Sequence, residues 1–286
     1  MNFEIQAHRG ARVSHPENTI PAIKAALDGG AHSVEIDLAL SKDHCLVVTH
    51  DTSLSVDLAK YKGIYRNDRP LVMHMHSTEI MSHEVGIINP ESVLRKRFPL
   101  QACIDGLHIP SLHEVLVMPQ WQQKPLAILD LELKISTSEP METYPPSVFI
   151  KSLKLALNST PIPPIRVRSF HWQALMMLPD YLPSIPRAFL TQGNNATLQA
   201  LYACKLIPEQ VKHLAHAVSN LGGEIWAPYY QDIKKDDVKR AHDYGVKVIP
   251  YTVNKALDWE RLIQWDVDGI TTDDPKGLAT LLAACD

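Results

Sequence analysis

Nine short apolar runs with strand character recur along this chain, and stretches with helical spacing lie between most of them. The runs are Phe3 to His8, Ser33 to Leu40, Cys45 to His50, Leu126 to Ile135, Ile165 to Phe170, Arg187 to Thr191, Glu224 to Pro228, Val246 to Val253 and Asp268 to Thr272. Alternation of this kind implies βαβ units and a parallel sheet. One connection breaks the rule. Ser41-Lys42-Asp43-His44 is far too short for a crossover helix, so the runs flanking it must pair antiparallel. Setting that return strand aside leaves eight parallel candidates, the count of a TIM-type (β/α)8 barrel, for which ~250 residues is typical.

The 286 residues are therefore read as one barrel domain, 1-286. Ile20, Ile23, Ala26 and Leu27 give the first helix one apolar face, and Gly29-Gly30 supplies its stop. A similar pattern, Val238, Ala241 and Tyr244, ends at Gly245. Segment 51-108 shows no strand-helix alternation and is too long for an ordinary βα loop, so it is expected to be an insertion over the barrel mouth, after the second strand's β-hairpin. The cluster Pro161-Ile162-Pro163-Pro164 reads as a connector. The formal net charge of −4 offers no basic excess for a nucleic-acid backbone. Cys45, Cys103, Cys204 and Cys285 are widely spread with no CxxC pair, which argues against a disulfide framework or a structural zinc site. Met1 to His8 lacks the features of a secretion signal, and no run reaches the ~18 apolar residues of a membrane span. The expectation is a cytoplasmic protein.

Two strands are unusual. In Val34-Glu35-Ile36-Asp37-Leu38 the period-two alternation sends the apolar residues one way and both carboxylates the other. Carboxylates ~7 Å apart on one buried face repel each other and lose hydration unless a cation lies between them, and a hard divalent ion suits them. In Ile128-Leu129-Asp130-Leu131-Glu132-Leu133-Lys134, residues 130, 132 and 134 share a face. Glu132 can complete a three-carboxylate site, with Lys134 meeting an anion held there. A hairpin centred between Lys42 and Asp43 would pair residues whose numbers sum to 85, placing His50 opposite Glu35 on the same face. His8 closes the first strand, with Arg9 in the following loop at the C-terminal face, where barrel enzymes keep their sites. These groups suit phosphodiester cleavage: Arg9 and a cation neutralise phosphoryl oxygens, while two histidines exchange protons near neutral pH.

His8-Arg9-Gly10, Pro16-Glu17-Asn18-Thr19, Glu35-Ile36-Asp37 and His50-Asp51, in this order, resemble the glycerophosphodiester phosphodiesterase family. Further matches are Ile109 to Leu116, Leu131-Glu132-Leu133-Lys134, Thr252-Val253-Asn254 and Val267 to Asp273, so that the insertion alone is poorly covered. The resemblance implies Mg2+ or Ca2+ on Glu35, Asp37 and Glu132, His8 and His50 as acid and base, phosphate on Arg9 and Lys134, and support from Glu17 and Asn18. It implies hydrolysis of glycerophosphodiesters to sn-glycerol 3-phosphate and an alcohol. The chain departs from the family in four places. His44 replaces a turn glycine, Tyr251 replaces a tryptophan, Gln264-Trp265-Asp266 replaces a glycine, and the segment after Asp51 lacks an Arg-Thr-Thr run. These bear on the shape of the substrate pocket.

Blander readings apply elsewhere. Asp130 is expected to partner a buried lysine or arginine. His74 and His76 lack a third ligand, His213 and His216 read as a solvated helix face, and Lys234-Lys235-Asp236-Asp237 as helix capping. Phe170, Trp226 and Tyr251 fall near strand ends, as pocket wall or core. Two further functions compete: a lysophospholipase D-type hydrolase, and a non-catalytic barrel that binds phosphodiesters. An isomerase or aldolase would favour more histidine ligands or a Schiff-base lysine in an apolar pocket. The sequence carries no signal of oligomeric state.

Overall fold

The computed structural model of the chain describes residues 3–158 and 162–285. Met1 and Asn2 of the N-terminal segment and Pro161 of the proline connector lie outside the described residues. The strands are β1 (Glu4–His8), β2 (Ser33–Leu40), β3 (Leu46–Val48), β4 (Lys60–Tyr61), β5 (Ile64–Tyr65), β6 (Ile128–Leu133), β7 (Ile165–Ser169), β8 (Arg187–Thr191), β9 (Ile225–Pro228), β10 (Lys247–Val248) and β11 (Gly269–Thr272). Eight of them run parallel in the order β10-β9-β8-β7-β6-β2-β1-β11, and β3 pairs antiparallel with β2. This is the nearly closed eight-stranded barrel that the alternation of runs implies.

The run Val246 to Val253 forms the weakest wall. Lys247 and Val248 pair with β9, and Ile249 N and Tyr251 N continue that side to Trp226 O and Pro228 O at 3.0 Å each, whereas Pro250 has no N–H to offer the β11 side. The seam to β11 is closed by single bonds instead: Asp268 N to Val248 O at 3.0 Å, Thr271 N to Pro250 O at 3.0 Å and Val253 N to Thr271 O at 2.9 Å.

Strand alternation divides the two faces of the sheet. Val34, Ile36 and Leu38 of β2 and Leu129, Leu131 and Leu133 of β6 pack outward in the main core beneath the helices. The first of these helices, Ile20–Asp28, starts at Thr19, whose side chain accepts from Ala22 N, and buries Ala22, Ile23, Ala26 and Leu27. The opposite face of the same strands is polar. Asp130 accepts from Gln6 at 2.6 Å and from Arg166 Nε at 2.8 Å, while Arg166 also holds Glu4. Asp130 is thus the partner of a buried arginine, as its position one pleat below Glu132 implies.

The hairpin differs from its expected register. The pairs are Leu38 with Val48, Ala39 with Val47 and Leu40 with Leu46, whose numbers sum to 86 rather than 85. Three residues, Lys42, Asp43 and His44, form the loop between Ser41 and Cys45, and His44 takes φ 59°. A type I turn followed by one left-handed residue is the usual form of a three-residue loop. The slip means that His50 does not sit opposite Glu35. Regular pairing ends at Val48, and the bend through Thr49 carries His50 to the mouth by another route. Asp266, at the second position where the family has a glycine, is also left-handed at φ 65°. Histidine and aspartate tolerate that region better than most residues.

Segment 51-108 contains the β4-β5 ribbon and short helices at Ser77–Ile80 and Val93–Arg97. Its Leu54, Ala59, Val72, Met75 and Ile80 build a second small core against Ala39, Val47 and Ile109. Close backbone approach pins it: a Cβ at Gly86 would lie 1.7 Å from Ile104 O.

Candidate active site

At the C-terminal ends of β1, β2 and β6 three carboxylates meet. Glu35 and Asp37 are each 1% exposed and Glu132 is 8% exposed. Each offers an oxygen within 4.8 Å of those of the other two. Register explains the meeting, since Asp37 lies beside Glu132 on the paired strands and Glu35 beside His8. Glu35 Oε2 accepts from Arg9 N at 2.9 Å, but its Oε1 is buried without a hydrogen-bond partner. Burial first, then repulsion from Asp37 and Glu132, holds the Glu35 carboxyl well above its ordinary range. Burial also acts against ionised Asp37, yet Arg9 and then Lys134 outweigh it and keep that carboxyl low. A bare buried carboxylate oxygen among like charges is the arrangement that a hard cation stabilises.

The loop after β1 wraps this cluster. Arg9 and Asn18 both adopt left-handed backbone, φ 57° and φ 58°, and Asn18 N bonds Arg9 O. Strain of this kind at a site persists only where the surroundings fix it. Here they do: Asn18 Nδ2 donates to Asp37 Oδ2 at 2.8 Å, and Asn18 Oδ1 accepts from Asp37 N at 3.2 Å. Arg9 reaches Glu17 at 2.6 Å, and its Nε stands 3.1 Å from Asp37 Oδ2 without the alignment of a hydrogen bond. Lys134 Nζ lies 2.6 Å from Glu132 and 3.5 Å from Asp37.

Both histidines are oriented by carboxylates. His8 Nδ1 lies 2.6 Å from Asp273 Oδ1, and His50 Nδ1 lies 2.7 Å from Asp51 Oδ1. Each contact fixes a tautomer that leaves Nε2 free for proton exchange. Burial, then Arg9, pushes the His8 imidazole below its ordinary value against the pull of Asp273. His50 is the more exposed, at 37% of its side chain.

The structure gathers His8, His50, Glu35, Asp37, Glu132, Arg9, Lys134, Glu17 and Asn18 at one mouth. Among the three aromatic candidates, Phe170 and Tyr251 meet there edge to face at 5.9 Å. Trp226 requires correction. It pairs with Phe189 on the outward face of the sheet, is 2% exposed in the core beneath the helices, and donates its Nε1 to Thr191. Tyr229, 6.1 Å from the Tyr251 ring, extends the aromatic wall instead.

Three residues escaped the sequence reading. Asp273 orients His8, and Asn254 holds Asp273 through Nδ2 to Oδ2 at 2.6 Å and Oδ1 from Asp273 N at 2.8 Å. Both lie in matched segments, yet nothing local ties them to β1. Arg168, 2% exposed beside Glu132 in the register of β6 and β7, had a readable signal. Ile165-Arg166-Val167-Arg168 alternates as the carboxylate strands do, with the opposite charge.

The profile of the Glycerophosphoryl diester phosphodiesterase family matches residues 8–277. A glycerophosphodiester phosphodiesterase from Caldanaerobacter subterraneus subsp. tengcongensis is 28% identical over 282 residues, covering 99% of this chain and 98% of the relative. A crystal structure from Silicibacter pomeroyi, assigned to the glycerophosphoryl diester phosphodiesterases, superposes with a TM-score of 0.87 at 28% identity over 99% of this chain and 94% of that one. An Oleispira antarctica phosphodiesterase, solved in complex with the product sn-glycerol-3-phosphate, shares the fold with a TM-score of 0.72 at 22% identity, covering 98% and 96%. The chain therefore belongs to the glycerophosphoryl diester phosphodiesterase family and is a phosphoric diester hydrolase.

Proposed function

We propose that this chain hydrolyses glycerophosphodiesters to sn-glycerol 3-phosphate and an alcohol, using one divalent cation, Mg2+ or Ca2+, and the pair His8 and His50. The observation that carries the cation is the buried, unpartnered Glu35 Oε1 in a cluster of three carboxylates. A divalent ion on Glu35, Asp37 and Glu132 supplies charge neutralisation and polarises a phosphoryl oxygen.

The remaining work falls to the chain's own groups. Arg9 and Lys134, already set against Asp37, turn their free donors toward the phosphate and oppose the charge that builds up on it. One imidazole Nε2 accepts the proton of the nucleophile, a glycerol hydroxyl or water, and the other returns a proton to the leaving alkoxide. Asp273 and Asp51 hold those imidazoles in place through Nδ1. Glu17 and Asn18 keep the Arg9 loop in its strained form. Phe170 and Tyr251 flank the bound ester. The product seen in the Oleispira antarctica enzyme supports a small glycerol phosphate as the part common to all substrates.

We also place the protein in the cytoplasm: Cys45, Cys103 and Cys204 are free thiols, which fits a reducing compartment. Among the described residues no helix is long and apolar enough to cross a membrane.

The test is turnover of glycerophosphodiesters by His8→Ala and His50→Ala. Each variant is expected to lose about 10²-fold or more in kcat with its circular dichroism unchanged. Near-normal rates in both would reject the assignment.

A further inference from the structure

A cavity of about 210 Å³ opens beside His50 and Arg9, roofed by segment 51-108. Leu54, Leu58 and Val85 give it apolar walls, and Asp57 lies among them. The other charged groups on the lining already have counter-ions: Arg9 and Arg12 share Glu17, and His50 holds Asp51. Asp57 differs. Its backbone is fixed, with N donating to Ser55 Oγ at 3.2 Å and O accepting from Asn89 N at 2.8 Å, while its half-buried carboxylate has no partner among the described residues. A carboxylate on the wall of a cavity that leucines also line offers a counter-charge to a cationic group.

We propose that this cavity receives the alcohol half of the diester, and that Asp57 selects small alcohols bearing an ammonium group. This rests on the hydrolase reading above. The cavity has room for a small alcohol beside His50. Charge sets the selection, since a neutral alcohol of the same size leaves Asp57 unpaired. Apolar walls around a single carboxylate accept the methylene and methyl groups of an amino alcohol, and polar polyols gain nothing from them.

The experiment compares kcat/KM for glycerophosphocholine, glycerophosphoethanolamine and glycerophosphoglycerol with saturating Mg2+, in the wild type and in Asp57→Asn. The wild type is expected to favour the two cationic diesters over glycerophosphoglycerol by about tenfold, which corresponds to one half-buried ion pair. Asp57→Asn is expected to bring that ratio close to one. A wild type without the preference overturns the assignment, whether or not the variant folds. A uniform loss on all diesters in Asp57→Asn also overturns it, because the shared glycerol half would then occupy the cavity. Hydrolysis without preference leaves the hydrolase reading standing, whereas no turnover of any diester removes both.

Discussion

Glu35 concentrates the site's physics in one side chain. Its carboxyl is buried, repelled by Asp37 and Glu132, and bonded through one oxygen only. Without a cation this group opposes folding, and the opposition depends on pH in a definite direction. A folded-state value above the ordinary 4.5 means that the folded chain keeps a proton which the unfolded chain releases. The penalty is absent below 4.5 and grows as pH rises toward the folded-state value, by up to about 1.4 kcal/mol per pH unit. In metal-free protein, Glu35→Gln is therefore expected to be more stable than the wild type, by a margin that widens from pH 5 to pH 8. Urea unfolding in a chelator checks this, and a margin that is negative or flat with pH would contradict it. Period-two alternation made Glu35, Asp37 and Glu132 legible in the sequence, because a carboxylate on the inward face of a strand is itself the anomaly. Asp273 and Asn254 were not legible. Their roles depend on β11 lying beside β1, a contact between the two ends of the chain that no local pattern encodes.

Among the elements, the loop after β1 does most to shape the site. Gly10 has φ 84°, and a Cβ there would lie 2.6 Å from the Ala22 carbonyl carbon. No side chain fits against the helix Ile20–Asp28 at that distance, so the loop reaches its course only through glycine. Gly10→Ala is expected to cost about 2–4 kcal/mol of stability and to lower kcat/KM at least tenfold by displacing Arg9. An unchanged denaturation midpoint would show that the loop tolerates another path. The hairpin shows the limit of reasoning from patterns. Its antiparallel pairing followed from a four-residue link, but its register depended on where one left-handed residue falls, and His44 moved it by one. Trp226 failed for a related reason: the parity of β9 decides whether a strand-end aromatic meets the mouth or the helices, and composition alone does not set it.

Across the whole molecule, the barrel interior is divided. Gln6, Asp130, Arg166 and Arg168 fill one side with charge, while Ala188, Ile225 and Ile249 pack on the other. The carboxylate cluster sits above the charged half, where paired ions already occupy the floor. A barrel that buries so many charges is stable only when they are matched, and at the mouth the buried Glu35 Oε1 has no partner among the described residues. The count of eight strands was legible in the sequence; the seam at Pro250 and the second core that segment 51-108 builds with Ala39, Val47 and Ile109 arise from long-range packing and were not. The central claim, that Glu35, Asp37 and Glu132 hold a divalent ion on which cleavage depends, is tested most directly by glycerol 3-phosphate release from glycerophosphocholine before EDTA, after it, and after return of Mg2+ or Ca2+. The account predicts loss on chelation and recovery with the metal in the wild type, and no recovery in Glu35→Gln. Full turnover by the chelated enzyme would contradict it.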